Sequence, residues 1–493
     1  MRGSSEKMTS TYSSKPPTQP AGRRLRSGER RVLLLIVDLL LAGIAVVGGL
    51  YFWGRLDIAN QIPSPGWTPT FSDFLQHRVD LWYYFLPVFW VLLLADLYDV
   101  HRSSDWRKVF YGITRSALVG LVIYALAFFF SPKGSLTRWG LAFFLFFATS
   151  LTFLWRLLYI KIFTAPAFMR RILIVGAGKA GQTLVQAYKG LWPPPFYMAG
   201  FIDDDPQKQG QQMEGFPVLG GSDRLLETIE AENISDLVIA ITGEMQGSTF
   251  QAVLDAQEGG IEVTPMPTLY EEFLRRVPVH HLESEWLIRS FVDAARASGF
   301  YEIAKRLLDI LGGLVGLGIC IVLYPLVALI ILLDSGFPIL YKQIRSGKGG
   351  HAYMVYKFRT MRQDAEQDGR VRLTQERDKR ITRGGSFLRR THIDELPQFW
   401  NVLHGEMSLV GPRAERPEWI VEFQKQIPFY RARLLVKPGV TGLAQVSYSY
   451  YATVEEMAVK LEYDLYYIKH RSLTMDLNII LRTIWQVFSF RGR

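Results

Sequence analysis

"LLDILGGLVGLGICIVLYPLVALIILL", residues 307–333, is an apolar run of 27 residues whose placement in a membrane decides the fold. A run of this length can cross a bilayer, which takes about 20 apolar residues. A crossing would put the basic block from Lys342 onward on the outer face, although both flanks, "AKR" (304–306) and "YKQIR" (341–345), favour the cytoplasm. Pro325 removes a backbone hydrogen bond and bends a helix. We therefore predict a re-entrant helical hairpin whose freed backbone groups find protein or water partners.

The chain upstream of this run predicts a membrane-anchored front half. Residues 1–30 are rich in Ser, Pro, Arg and Gly, which indicates a disordered basic tail. Residues 31–165 contain four apolar runs with aromatic residues at their ends, which predict four transmembrane helices rather than the buried helices of a soluble protein. These runs extend from Val32 to Trp53, from Leu81 to Leu97, from Ser116 to Phe130 and from Trp139 to Ile160.

Charge and cysteine content restrict the compartment. The basic residues between the four runs lie on alternate connections, which the positive-inside rule assigns to the cytoplasm. The formal net charge of +10 favours anionic ligands or an anionic membrane surface. Cys320 is the single cysteine, so the chain has no intramolecular disulfide. We therefore expect a multi-pass membrane protein whose basic connections and C-terminal domain face the cytoplasm, with the loop 54–80 outside.

Residues 170–270 predict a Rossmann-like α/β domain. "RRILIVGAGKAGQTLVQAY" (170–188) has an apolar strand, the turn Gly176-x-Gly178-x-x-Gly181 and a helical pattern. Such a turn brings a phosphate close to a helix N-terminus, but it also serves plain packing of a helix on a sheet, so these glycines are a weak cofactor site. The acids 203–205 follow the next strand, where a ribose-binding acid would lie. Residues 271–298 are interpreted as a connector.

Downstream of the apolar run, "THIDELPQFWNVLHGEMSLVGPR" (391–413) holds the candidate reaction centre. Pro397 is tolerated in the first turn of a helix and Gly405 is a natural stop, so the adjacent acids Asp394 and Glu395 would lie at the positive end of a helix. Neighbouring helical residues point about 100° apart, so one acid can face a reacting atom while the other holds a metal ion. The plainer alternative is a capping Asp beside a surface Glu.

Basic residues surround this pair in the sequence. Lys357 and Arg359 stand two apart on a strand-like segment and would share one face. Arg389 and Arg390 precede the acids, and Arg413 follows in a Gly-Pro-Arg turn. Paired arginines suit bidentate binding of phosphates, and lysine adds a compact positive charge. Together these residues predict a site for a phosphorylated lipid and a phosphorylated water-soluble donor.

Three separated motifs carry a resemblance to a known family. "YKFRTM" (356–361), "LRRTHIDELPQFWNVLHGEMSLVGPR" (388–413) and "VKPGVTGLAQV" (436–446) resemble the bacterial sugar transferases, the polyprenyl-phosphate hexose-1-phosphate transferases. The resemblance covers about residues 299–493. The front half is similar to that of the large members, the undecaprenyl-phosphate glucose or galactose phosphotransferases.

The resemblance implies a fold class and a chemistry. The fold would be a membrane protein of α plus α/β type: four transmembrane helices, the Rossmann-like domain and, over 299–493, a monotopic phosphoglycosyl transferase domain. Mg²⁺ and a covalent intermediate are implied, with Asp394 as nucleophile and Glu395 as metal ligand. The implied binders of phosphate or nucleotide are Lys357, Arg359, Arg389 and Arg413. One position departs from the family pattern, because Pro-Arg-Pro is replaced by a segment ending in Ala414.

The expected reaction follows from these residues. A hexose-1-phosphate would pass from UDP-glucose or UDP-galactose to undecaprenyl phosphate at the cytoplasmic face of the bacterial inner membrane. UMP would be released, and exopolysaccharide, capsule or O-antigen assembly would start. We expect a homodimer in the bilayer and no nucleic-acid partner.

Two other functions compete with this one. A membrane-anchored, NAD-dependent nucleotide-sugar dehydratase or epimerase would use a Tyr-x-x-x-Lys pair, for which Tyr301–Lys305 and Tyr353–Lys357 have the right spacing. A nucleotide-sensing regulator of polysaccharide assembly would bind its ligand without turnover.

Overall fold

The computed structural model of the protein forms two compact units, residues 1–269 and 270–493. The predicted tail lies outside the described residues, except for its last four positions, which already belong to the first helix. The described residues are 27–60, 70–98, 103–130, 138–163, 169–191, 194–282, 299–362, 378, 380–448 and 453–488.

The first unit begins with apolar helices, as predicted. Three of them, α1 (Ser27–Asn60), α4 (Trp106–Phe130) and α5 (Arg138–Phe163), are long and apolar enough to cross a bilayer. The second predicted span differs, because Leu81–Leu97 is divided into a 3-10 turn, the short helix α3 and another 3-10 turn. Pro87, in the first turn of α3, has no N–H to continue the preceding turn as an α-helix. The helices are α1 (Ser27–Asn60), α2 (Phe71–Arg78), α3 (Leu86–Leu93), α4 (Trp106–Phe130) and α5 (Arg138–Phe163).

A fully buried ion pair holds these helices together. Arg156 of α5 donates to Asp38 of α1 at 2.6 Å and to the carbonyl oxygen of Leu97 at 3.1 Å. Trp90 of α3 donates to Thr152 of α5 at 3.0 Å. A charge in an apolar bundle is costly unless it is paired, so Arg156 fixes the end of the divided segment between the two long helices.

The predicted Rossmann-like domain is present as a six-stranded sheet in the order β3-β4-β2-β1-β5-β6. All neighbouring strands pair in parallel except β3 and β4. The central strands are almost fully buried because helices cover the sheet. The elements are β1 (Arg171–Val175), α6 (Lys179–Lys189), β2 (Tyr197–Ile202), β3 (Gln212–Met213), β4 (Phe216–Gly220), α7 (Leu225–Ala231), β5 (Asp236–Ile239), α8 (Gly247–Glu258), β6 (Glu262–Pro265) and α9 (Met266–Leu274).

Part of the predicted connector belongs to the core of the second unit. Val277 and Val279 are buried in the same hydrophobic cluster as residues from the far end of the chain. The backbone N–H of Val277 donates to the carbonyl oxygen of Glu462 at 3.1 Å. The rest of the connector, 283–298, lies outside the described residues.

The apolar run forms the middle of one continuous helix, α10 (Gly299–Ser335), of 37 residues. Pro325 lies inside this helix, so the chain reversal that we predicted at Pro325 is absent from it. A single helical stripe of α10 is buried along the whole length, whereas the other faces expose large apolar side chains. The buried stripe consists of Tyr301, Asp309, Gly313, Gly316, Cys320, Val327, Ala328 and Ile331.

The glycines of α10 let this helix pack closely on later elements of the second unit. A Cβ at Gly313 would meet the side chain of Leu403, and one at Gly316 would meet the ring of Phe399. The remaining elements are β7 (Leu340–Ser346), β8 (Ala352–Phe358), α11 (Arg383–Arg390), α12 (Gln398–His404), β9 (Ser408–Val410), α13 (Pro417–Gln426), β10 (Gly439–Thr441), α14 (Leu443–Ser447), α15 (Val454–His470) and α16 (Leu473–Phe488). β7 and β8 form an antiparallel hairpin, and β9 pairs in parallel with β10.

Candidate active site

The adjacent acids lie in a 3-10 turn, Ile393–Glu395, directly before α12. We predicted that the helix begins near Asp394, but it begins at Gln398. Pro397 has no N–H to close an α-helical bond with the turn, which is closed instead by Leu396 donating to the carbonyl oxygen of Ile393 at 3.2 Å. The predicted stop is confirmed, because Gly405 caps α12 with φ 85°.

Glu395 is held by two cations. Lys357 Nζ and Arg413 Nη2 both donate to Glu395 Oε1, at 2.7 and 2.8 Å. Burial alone would raise the pKa of Glu395, but the charges of Arg413 and Lys357 hold it well below its usual range. Glu395 is therefore a fixed carboxylate at neutral pH. The structure thus brings together three residues that are far apart in the sequence.

Asp394 is the more reactive of the two acids. Its side chain is buried, with 7% of the residue exposed. Burial and the neighbouring charge of Glu395 raise the pKa of Asp394 to about 6, although Lys357, Arg389 and Arg413 oppose the shift. At neutral pH such a group is still mostly ionised, and a poorly solvated carboxylate is a better nucleophile than one in water. Asp394 can therefore attack an electrophilic phosphorus without a general base.

The two neighbouring arginines of α11 point in different directions. Arg389 is largely buried, and its Nε donates to Thr360 Oγ1 at 2.9 Å. Asp394 is one of the carboxylates whose charge acts on Arg389. Arg390 is exposed, and its Nε donates to the carbonyl oxygen of Ser386 at 3.3 Å. The geometry therefore favours Arg389 as a phosphate binder and gives no support to the predicted role of Arg390.

Arg359 does not share a face with Lys357 at the site. Strand β8 ends at Phe358, and the next side chain turns to the end of α10. There the guanidinium of Arg359 donates to the carbonyl oxygens of Ser335 and Phe337, each at 2.8 Å, and of Gly336. These carbonyls are the unpaired acceptors of a helix C-terminus. Arg359 thus caps the C-terminus of α10, and its phosphate role stays a prediction.

The turn that carries Arg413 is braced by remote residues. Arg433 donates to the carbonyl oxygen of Arg413 at 3.1 Å, and Arg345 donates to that of Ala414 at 3.0 Å. Glu415 pairs with the largely buried Lys460. Backbone contacts thus fix the turn although Ala414 stands where a proline was expected. These braces could not be predicted from the sequence, because no local pattern connects Arg345, Arg433 or Lys460 to the motif.

His392 is another residue near the acids that the sequence analysis did not single out. Its backbone is left-handed, with φ 56°, which redirects the chain between α11 and the acidic turn. Burial lowers the pKa of His392, so the ring is neutral above pH 7. The only available signal was its position beside the acids.

The donor set at the acids fits Mg²⁺ in one particular mode. Within the described residues, no three His, Cys, Asp or Glu side chains come together to hold a metal. Mg²⁺ in phosphate-transfer sites is commonly held by one or two carboxylates, with substrate phosphates and waters completing its shell. Glu395 and Asp394 supply that number. The predicted metal role of Glu395 stays a prediction.

The glycine turn of the Rossmann-like domain is bonded within the domain itself. Gly176 has φ 106°, and a Cβ on Gly181 would clash with the carbonyl oxygen of Gly176, so both positions need glycine for the turn. The N–H of Ala177, inside the turn, donates to Asp203 at 2.7 Å. Asp203 also pairs with Lys208 at 3.1 Å. The acid that we predicted to bind ribose therefore closes the turn, and the cofactor role of Gly176, Gly178 and Gly181 stays a prediction.

The Tyr–Lys pairs of the oxidoreductase alternative are used elsewhere. Tyr301 and Lys305 both donate to the fully buried Asp476, each at 3.0 Å. In the second pair, Lys357 binds Glu395 as described above. Both lysines are thus engaged within the second unit, and both pairs lie outside the unit that contains the glycine turn.

A buried carboxylate of raised pKa, a second carboxylate held by two cations and the nearby Arg389 lie together in the second unit, and such a set can bind a phosphate. Comparison with known proteins agrees with this capacity. The model of the family described as bacterial sugar transferase matches residues 300–490. The model of a CoA-binding domain matches residues 94–255. Asp203 occupies the N–H of Ala177, so this one donor of the glycine turn is not available to a phosphate.

Relatives along most of the chain establish the family. A galactosyl transferase, CpsE, of Streptococcus agalactiae serotype III (strain NEM316) is 30% identical over 435 residues, covering 85% of this chain and 94% of the relative. The chain belongs to the bacterial sugar transferase family. With its long apolar helices, it is a membrane protein.

Other relatives match over a shorter part. A UDP-N-acetylgalactosamine-undecaprenyl-phosphate N-acetylgalactosaminephosphotransferase of Aeromonas hydrophila is 39% identical over 232 residues, or 47% of this chain and 53% of the relative. A UDP-glucose:undecaprenyl-phosphate glucose-1-phosphate transferase of Xanthomonas campestris pv. campestris is 33% identical over 282 residues, or 56% of this chain and 58% of the relative. The chain thus spans little more than half the length of these two relatives.

Proposed function

We propose that the protein transfers a hexose-1-phosphate from UDP-glucose or UDP-galactose to undecaprenyl phosphate through a covalent aspartyl-phosphosugar intermediate. UMP is released, and the lipid-linked sugar starts exopolysaccharide, capsule or O-antigen assembly. The observation that carries the proposal is the buried Asp394 next to Glu395, which Lys357 and Arg413 hold in place. The names of the relatives include UDP-glucose, UDP-N-acetylgalactosamine and a galactosyl group, which supports a UDP-hexose of this kind as the donor.

The first half-reaction is an attack by Asp394. An ionised carboxylate oxygen forms a bond to the phosphorus that carries the sugar, and the bond from that phosphorus to the bridging oxygen breaks. UMP leaves with the bridging electrons, and no proton is transferred. Arg389 and Arg413 lie close enough to act on the charge of Asp394, and they bind the phosphate oxygens as charge develops. Mg²⁺ held by Glu395 would supply further neutralisation of the negative charge that develops on the departing UMP.

The second half-reaction regenerates the carboxylate. A phosphate oxygen of undecaprenyl phosphate attacks the same phosphorus, and the bond from phosphorus to Asp394 breaks. The product is an undecaprenyl diphosphate sugar. Because both nucleophiles are anions, neither step needs a general base. Two successive displacements at one carboxylate give ping-pong kinetics.

The arrangement of α10 supports a helix that enters the membrane without crossing it. The segment before α10 and the segments after it share one core, since the backbone N–H of Val277 donates a hydrogen bond to the carbonyl oxygen of Glu462. A bilayer core of about 30 Å cannot separate two such residues. We therefore place α10 in the cytoplasmic leaflet with its bare apolar face toward lipid, as a monotopic element. This membrane helix delivers the acceptor lipid to the phosphate-handling centre.

The reaction is tested with purified protein in lipid nanodiscs, Mg²⁺ and a panel of UDP-glucose, UDP-galactose and UDP-N-acetylgalactosamine. We expect UMP release with one donor, turnover only with undecaprenyl phosphate, and a labelled covalent protein when the lipid is left out. Asp394→Asn should form no adduct, while Asp205→Asn, an acid of the other unit, should form it normally. Full turnover by Asp394→Asn would contradict the mechanism.

The topology is tested by cysteine labelling in a Cys320→Ser background. Both His280, before α10, and Lys348, after it, are exposed. We expect His280→Cys and Lys348→Cys to react with an impermeant maleimide from the cytoplasmic side in inverted vesicles. Labelling of the two positions from opposite sides would mean that α10 crosses the bilayer.

A further inference from the structure

Arg389 has an unusual set of partners for a largely buried arginine. Its Nε donates to Thr360 Oγ1 at 2.9 Å. Among the residues that the structure describes, this is the one side-chain hydrogen bond of Arg389, and no carboxylate lies within 4.0 Å of its guanidinium. The two terminal nitrogens, which form the bidentate edge of an arginine, are thus left for a ligand.

Thr360 is itself fixed at the start of the helix that carries Arg389. The N–H of Thr382, the capping residue of α11, donates to the carbonyl oxygen of Thr360 at 3.1 Å. A Cβ on Gly385 would clash with that same oxygen, so the first turn of α11 lies directly on Thr360. The Thr360 residue therefore contacts α11 at its first turn through the backbone and at its last turn through the hydroxyl.

Arg389 lies near the reaction centre, because helix α11 contacts the turn Ile393–Glu395 that carries the two acids. The charges of Asp394, Asp378 and Glu395 act on the guanidinium, while burial lowers the pKa of Arg389 without discharging it. A flexible arginine loses conformational entropy when it binds a phosphate, and a prior hydrogen bond at Nε removes part of that cost. The Thr360 hydroxyl makes such a bond.

We infer that Thr360 is a positioning residue, whose hydroxyl orients the Arg389 guanidinium so that both terminal nitrogens bind the donor phosphate that Asp394 attacks. This inference rests on the proposed function. It gives each polar residue of "KFRT" (357–360) a separate task, since Lys357 binds Glu395 and Arg359 caps α10.

The test compares Thr360→Val, which removes the hydroxyl at constant volume, with Thr360→Ser, which keeps it. We expect Thr360→Val to lower kcat/KM for the UDP-sugar by about 10- to 100-fold, chiefly through a higher KM, because a hydrogen bond to a charged group is lost. Thr360→Ser should stay within about threefold of the wild type. Thr441→Val is the matched control, as Thr441 is buried to the same degree and its hydroxyl bonds Thr483 at 2.7 Å.

A double-mutant cycle separates positioning from general support. In an Arg389→Lys background the Nε donor is absent, so adding Thr360→Val should change kcat/KM by less than about twofold. An equal loss in both backgrounds, or a Thr360→Val enzyme as active as Thr441→Val, would overturn the inference. If Thr360→Val does not fold, as judged by thermal unfolding, Thr360→Cys replaces it with the same expected order. A wild-type protein that releases no UMP with any donor contradicts the proposed function instead.

Discussion

Two turns of this chain, one in each unit, each place an aspartate beside basic residues, but the two aspartates have different surroundings. In the first unit Asp203 follows a strand and meets the glycine turn before α6. In the second unit Asp394 lies in the turn before α12. Asp203 accepts the N–H of Ala177 and pairs with Lys208. Asp394 is buried with a raised pKa, and its neighbour Glu395 takes the direct ion pairs.

The difference shows that an acid beside basic residues is not by itself a reactive site. At the glycine turn, carboxylate and cation satisfy each other at a partly exposed position, which leaves a closed structural link. At the second turn, one carboxylate is neutralised and the other is desolvated, with the edge of Arg389 still available. Desolvation with surplus positive charge favours an incoming phosphate and an attacking carboxylate.

The largest expected difference is between two single variants, in which either Asp394 or Asp203 is replaced by Asn. Asp394→Asn should lower UMP release by at least about a thousandfold, because the amide cannot form the acyl phosphate. Asp203→Asn should change it by less than about twofold and lower stability slightly, since a partly exposed ion pair contributes at most about 1 kcal/mol. A similar loss in both variants would remove the distinction between the turns.

The next effect concerns the cations of Glu395. Arg413→Gln or Lys357→Met leaves a buried carboxylate with one partner, so we expect activity to fall about a hundredfold. Arg390→Gln, which removes an exposed charge from the same region, should stay within about twofold of the wild type. Steady-state UMP release checks all three, and a defect in Arg390→Gln equal to that of Arg413→Gln would place Arg390 in the site after all.

A smaller effect distinguishes Arg359, which follows strand β8, from Arg389 of helix α11. Arg359→Gln removes the cap of α10, and we expect a loss of about 2 kcal/mol, seen as a fall in Tm of about 4–8 °C with an unchanged donor KM. Arg389→Gln should raise the donor KM and change Tm less. Arg383→Gln, an exposed residue of α11, is the control. A raised KM without lost stability in Arg359→Gln would return that residue to phosphate binding.

The smallest effect is a pH dependence of folding stability that arises from Glu462 in the core of the second unit. Burial raises the pKa of Glu462 to about 7, although Arg276 and the hydroxyl of Tyr270 oppose the shift. This folded-state pKa exceeds the ordinary value of 4.5, so stability falls as the pH rises from about 4.5 through 7. Between pH 5 and pH 8, the stability of Glu462→Gln relative to that of the wild type should therefore rise by roughly 1–2.5 kcal/mol.

Thermal unfolding at both pH values checks this expectation. The control is Glu422→Gln, whose exposed side chain pairs with Lys425 of the same helix, α13. If the difference in stability between Glu462→Gln and the wild type is the same at both pH values, the raised pKa of Glu462 is contradicted.

Several features were predictable because they rest on local pattern. Hydropathy gave the long apolar helices, and β-strand and glycine patterns gave the Rossmann-like sheet. The place where α12 stops follows from Gly405 alone. The fate of the arginines was not predictable in this way. Arg359 and Arg389 look equivalent in the sequence, but the end of a strand turns one to the membrane helix and a helical rotation turns the other to the acids.

By itself, the sequence determined which segments are apolar, where the chain turns and which acids and bases are near one another along it, because these depend on neighbouring residues. The packing of distant segments places two cations on Glu395 and buries Asp394. It also leaves the terminal nitrogens of Arg389 available for a ligand. It also joined the chain before and after α10 in one core, which a count of apolar residues cannot reveal. Burial and ion pairing depend on residues more than 100 positions apart, such as Val277 and Glu462, and they come together only when the core packs.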